Sequence, residues 1–118
     1  MAMTLRKLSG STDGKPIKVV ATATLGTTIH TAVAGTTAGT FDKIWLWAYN
    51  GHTADVVLTI EFGGATVPDQ NIVVTVPYKQ GLFLIVPGLI LQNTMVVTAF
   101  AGSANVITLS GFVEAITD

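Results

Sequence analysis

Cysteine is absent from the 118 residues, which excludes disulfides and thiolate-ligated metal sites. Charge is nearly as scarce. Only 11% of the chain is Asp, Glu, Lys or Arg, where about 25% is usual for a soluble domain. A solitary β-domain must coat its outer faces and sheet edges with polar and charged groups, and this chain has few to spend. No long unbroken apolar run is present either. Leu82–Leu91 is the longest, and Pro87 and Gly88 interrupt it, so it falls short of the ~20 residues of a spanning helix. The basic N-terminus is not followed by an apolar run of signal-peptide length. A membrane is therefore not an expected partner, despite a mean hydropathy of +0.59.

What charge there is lies unevenly. Residues 1–18 carry Arg6, Lys7, Lys15 and Lys18 against Asp13, a net +3. The remainder carries Lys43 and Lys79 against Asp42, Asp55, Glu61, Asp69, Glu114 and Asp118, a net −4. A basic segment on an acidic body suits docking onto an acidic neighbour, or simply solvates a terminus.

Thr, Val and Ile dominate, and branching at Cβ favours strands. No stretch sustains a helical period. The turn-rich residues 1–14 read as an extended N-terminal arm, and residues 15–118 as one β-sandwich domain. Eight strands are expected, separated by Gly, Pro, Asn and Asp signals: Pro16–Thr24, Thr27–Ala34, Phe41–Tyr49, Asp55–Phe62, Asn71–Val76, Leu82–Val86, Thr94–Ala101 and Asn105–Ile116. Asn50-Gly51 is a hairpin-turn signal. Pro87-Gly88 is expected to stop the sixth strand, with Leu89–Asn93 a connection beyond it. Gly111 is expected to mark a bulge in the last. The strand spacing fits an all-β antiparallel sandwich, an eight-stranded jelly roll first, with an immunoglobulin-like sandwich as the alternative.

Signals for chemistry are weak. His30 and His52 lack zinc-ligand spacing. None of Ser9, Ser11, Ser103 and Ser110 lies in G-x-S-x-G, although a fold could still bring a Ser, a His and an Asp together. Glu61 and Asp69 flank Gly63-Gly64, which lacks the Lys and helix of a phosphate loop. The body has only two basic residues, too few for a nucleic-acid face. No cofactor, metal or catalytic residue is expected.

One strand stands apart. Alternation in Ile44-Trp45-Leu46-Trp47-Ala48-Tyr49 places Trp45, Trp47 and Tyr49 on one face and the aliphatic residues on the other. The aromatics are core, a subunit interface, or a platform for sugar rings. The run Leu82–Val86 is apolar on both faces, so Phe83 and Ile85 are further candidates for buried contacts between subunits. Arg6, Lys7, Lys15 and Lys18 are candidates for anchoring.

From Phe41 to the C-terminus the chain resembles small bacteriophage virion proteins. The resembling segments are Lys43–Asn50, Val56–Gly64, Leu82–Gly88, Val96–Ala101, Ala104–Ile107 and Gly111–Val113. The resemblance implies a capsid decoration or cement protein: a structural homotrimer, not an enzyme, bound to the major capsid protein on the virion exterior after synthesis in the bacterial host cytoplasm. Carbohydrate-binding or receptor-binding modules and tail or neck components are the alternatives.

Overall fold

A computed structural model describes residues 1–118. The chain forms nine strands and no helix: β1 (Ala2–Lys7), β2 (Ile17–Lys18), β3 (Thr27–Thr31), β4 (Phe41–Asn50), β5 (Val56–Phe62), β6 (Asn71–Val76), β7 (Phe83–Leu91), β8 (Val96–Ala101) and β9 (Ile107–Thr117). They build two antiparallel sheets that pack face to face. One runs β1-β9-β4-β7, with β2 also paired to β9, and the other runs β3-β8-β5-β6. The accessible surface is 6146 Å², close to the roughly 6,000 Å² expected of a compact chain of this mass.

The period-2 rule explains the core. Along β4 the residues alternate half-buried and buried without a break, and Ile44, Leu46 and Ala48 are fully buried. From the same sheet, Ile107, Leu109 and Val113 of β9 and Val86 of β7 join them. Leu58 and Ile60 of β5, Val97 and Ala99 of β8, Val76 of β6 and Ile29 of β3 face them from the other sheet. Burying each Val, Leu or Ile among them contributes roughly 1.5–3 kcal/mol.

Several local expectations are corrected. There are nine strands, not eight. The first six residues of the expected arm after Met1 are a paired strand, in continuous register with β9 from Ala2 opposite Thr117 to Lys7 opposite Phe112, and Leu8 behind it is buried in the core. The expected strand Pro16–Thr24 survives only as β2, because the chain then changes sheets: Val19 donates to Ile107 O, whereas Ala21 O accepts from Ala101 N. Asn50-Gly51 closes no hairpin. Asn50 is buried, its Nδ2 donates to Ala54 O at 3.0 Å and Val76 O at 2.8 Å, and these bonds carry the chain across to β5 in the opposite sheet. Pro87-Gly88 does not stop β7, which runs on to Leu91. An edge strand tolerates a missing N–H, and β7 takes up the irregularity in two register shifts against β4. Gly111 marks no bulge, since β9 pairs with β4 unbroken from Phe41 opposite Ile116 to Asn50 opposite Ile107. Its role is close approach: a Cβ at this position would run into the Trp45 carbonyl.

Candidate interaction site

The inward row of β4 fixes where its aromatics go. With Ile44, Leu46 and Ala48 in the core, Trp45, Trp47 and Tyr49 stand on the outer face of the sheet, each half-buried. Cross-strand neighbours share a face, so the register names the rest of that surface. Trp45 lies between Phe112 on β9 and Pro87 on β7, Trp47 between Ser110 and Leu84, and Lys43 between Glu114 and Ile90. On the far side of β9, Leu5 lies beside Glu114 and Met3 beside Ile116. Trp45, Trp47 and Phe112 form a triangle of near-parallel rings, with centroids 6.1–6.2 Å apart. Around it, Met3 (55%), Leu5 (65%), Leu84 (48%) and Ile90 (56%) are exposed. The result is a broad apolar patch, a feature that marks interaction surfaces.

Polar contacts hold the ladder in place. Trp45 Nε1 donates to Glu114 Oε1 at 2.7 Å. Lys43 Nζ lies 3.9 Å from the same carboxylate and 5.4 Å from the Trp45 ring centroid, within cation–π reach. Gly88, at φ +77°, leaves room for the indole: a Cβ there would meet Trp45 and Lys43.

The other expected site residues divide. Lys7 pairs with Phe112 and Lys18 with Thr108, which also pairs with Tyr49, so both positions adjoin the aromatic rows, although the Lys7 ammonium donates to Ser11 O at 3.1 Å and the residue also lines the end cleft. Arg6 falls on the opposite side of β1 and borders a cleft at one end of the sandwich. Lys15 is exposed in the turn after β1, where its main-chain N–H donates to Thr12 O. Phe83 and Ile85 are half-buried against the core, and Leu84 between them is the β7 residue beside Trp47. Phe112, Leu84 and Glu114 went unrecognised at the sequence level. Alternation within β9 was the readable signal, and the expected bulge at Gly111 concealed it.

Two buried polar clusters lie elsewhere. At the cleft of about 530 Å³ that Arg6 borders, the fold does assemble a Ser, a His and an Asp. His30 Nε2 lies 2.7 Å from Asp42 Oδ2, and Asp42 also accepts from Val33 N at 3.2 Å. It is the main-chain N–H of Ser9, not its hydroxyl, that donates to His30 Nδ1 at 3.0 Å. The Ser9 hydroxyl oxygen accepts from Thr31 N at 2.8 Å. A nucleophile–base pair needs the hydroxyl on the imidazole, so these contacts fasten the chain after β1 to β3 and β4 instead. They also set the tautomer: a ring nitrogen that accepts a main-chain N–H carries no proton, so Nε2–H is the donor to Asp42.

The second cluster centres on Glu61, on the outer side of β5 yet only 1% exposed. The segment between β2 and β3 covers it. Glu61 accepts from the Thr24 hydroxyl, from Gly26 N at 2.8 Å and from Thr98 Oγ1 at 2.6 Å. Burial by itself pushes the carboxyl up, but the hydrogen bonds from Thr24, Thr98 and Gly26 together outweigh it and hold Glu61 below its ordinary value of 4.5. Gly26 packs so tightly on Ala99 that a Cβ would strike the main chain.

No group of three or more His, Cys, Asp or Glu side chains is placed to hold a metal ion, and no helix is long and apolar enough to cross a membrane. Comparison with family models, curated proteins and solved structures finds no match.

Proposed function

We propose that this chain is a non-enzymatic structural subunit of a bacteriophage virion, a capsid decoration protein working as a homotrimer on the outer shell. The observation that carries the reading is the outer face of β4 and β9. Trp45, Trp47 and Phe112 present a rigid apolar surface flanked by Lys18 and Lys43, with Glu114 the one acidic residue in the rows that the register defines. Such a face suits an apolar partner of acidic character, and rigid aromatics lose little side-chain entropy when ordered. The molecule measures 45 × 28 × 20 Å, broad enough for the roughly 800 Å² per partner of a stable interface. A shell strained from within gains stability from many small subunits bridging its joints, and a compact sandwich with few mobile charges suits that task.

The strand order supports a jelly-roll reading. Leaving β1 aside, the chain pairs as β2 with β9, β3 with β8, β4 with β7 and β5 with β6. These four nested couples are what a long antiparallel ribbon makes when it is wound once around a core. Fold by itself assigns no function, so the aromatic face remains the argument.

Sedimentation equilibrium at micromolar concentration tests the proposal. The wild-type chain is expected to assemble through this face, and Trp47→Ser to lose that assembly while keeping its circular-dichroism spectrum. Wild-type and variant chains of identical mass would overturn the reading. The near-parallel rings favour a second reading as a platform for sugars; glycan binding that Trp47→Ser abolishes in an unassembled protein would establish it instead.

A further inference from the structure

Sandwiches expose sheet edges, and three of the edges here are guarded. β7 carries Pro87, Gly88 and two register shifts. β3 has a register shift of its own and lies under Ser9 and Gly10, which bond to Thr31 N and Ile29 O. The edge opposite β7 ends β1 on the charged pair Arg6-Lys7 and adds only the two-residue β2. The fourth edge, β6, has no such device. Asn71-Ile72-Val73-Val74-Thr75-Val76 contains no charge and no proline, and its register with β5 is unbroken. Natural sheets blunt edges because an unpaired strand templates further pairing.

The direction of its free groups follows from the ladder. Phe62 N donates to Gln70 O, and these residues lie in the same register as the β5–β6 pairs. In an antiparallel pair, bonded and non-bonded positions alternate. Ile72, Val74 and Val76 therefore bond to β5, whereas Val73 and Thr75 turn their N–H and C=O groups outward. Val73 is 62% exposed.

We propose that β6 is an assembly edge that takes the β6 of a second copy, antiparallel across a two-fold axis, joining two four-stranded sheets into one. The free groups are self-complementary. In a register centred on Val74, Val73 of each copy meets Thr75 of the other, and both residues exchange their outward N–H and C=O groups. Ile72 then meets Val76 on the inner side. No charge opposes a like charge anywhere along the strand, which is what an isologous contact requires. This contact goes beyond the aromatic face and is separable from it, because β6 belongs to the other sheet.

The test is sedimentation of Val73→Lys beside the wild type, with hydrogen exchange on both. Lysine at a solvent-facing edge position leaves the β5 ladder intact, so the variant is expected to keep its circular-dichroism spectrum and melting cooperativity. Its assembly mass is expected to fall below that of the wild type, and to half of it where β6 is the one contact between copies. The amides at positions 73 and 75 are expected to exchange slowly in concentrated wild-type protein and fast in the variant. Equal masses, or fast exchange of both amides in the concentrated wild type, would overturn the proposal. Trp47→Ser is expected to leave this pairing in place, which distinguishes its failure from failure of the aromatic-face reading.

Discussion

Trp45 and Glu114 sit diagonally across the β4–β9 pair, and the indole N–H donates to the carboxylate at 2.7 Å. Glu114 thereby fixes the orientation of the ring at the centre of the outer aromatic face. Lys43 completes the cluster, but its side chain is 41% exposed and its pairing with Glu114 is screened by water. Glu114→Ala is expected to cost about 1 kcal/mol or less of stability. It is also expected to red-shift tryptophan emission as the ring loosens into solvent. Urea titration and the emission spectrum check the two effects separately.

Gly111 faces Leu46 in register, and any side chain there collides with the Trp45 carbonyl. Main chain cannot swing aside as a flexible side chain does. Gly111→Ala should therefore force β9 away from β4 and cost about 3 kcal/mol or more. A denaturation midpoint equal to the wild type's would refute the close-approach account.

Glu61→Gln removes a buried carboxylate that accepts three hydrogen bonds, and should cost roughly 2 kcal/mol at neutral pH. Because the carboxyl is held below 4.5 in the folded protein, the stabilisation from its charged form is complete above that value. It disappears as pH falls through the folded pKa. The stability gap between wild type and variant is thus expected to close on the acid side, and unfolding curves across that range measure it.

The tautomer of His30 can be read directly. Its contacts with Ser9 and Asp42 require a bare Nδ1 and a protonated Nε2. Nitrogen-15 chemical shifts of the neutral ring should show a pyridine-like Nδ1. The opposite assignment would mean that the Ser9 contact is absent in solution.

Leu46 occupies the middle of the fully buried row of β4. Leu46→Ala is expected to cost 2–5 kcal/mol, about the range for a core cavity that cannot collapse. Val57→Ala, on the outer side of β5 and half-exposed, should cost under about 1 kcal/mol. Thermal melts of the pair test the facing assignment along both strands.

Most strands were legible because β-branched residues alternate with smaller or polar ones between turn signals, and period 2 is a local property. Val56–Phe62 and Asn71–Val76 are the clearest cases. Turn chemistry was less reliable. Asn50-Gly51 and Pro87-Gly88 carry strong local signals, but a buried amide redirected the first and an edge position absorbed the second. The pairing of residues 2–7 with β9 could not be read locally, since its partner lies more than a hundred residues along the chain.

By itself, the sequence determined that this protein is all-β, that β4 separates aromatic from aliphatic side chains, and that little charge is available to coat its surface. These follow from side-chain shape, alternation and composition, which act over a few residues. Only the tertiary structure decided that the aliphatic side faces inward, that Phe112 and Leu84 extend the aromatic surface, and that β6 is the unguarded edge. Those outcomes depend on which strands meet across the two sheets, and that is settled by burying one continuous core rather than by any local preference.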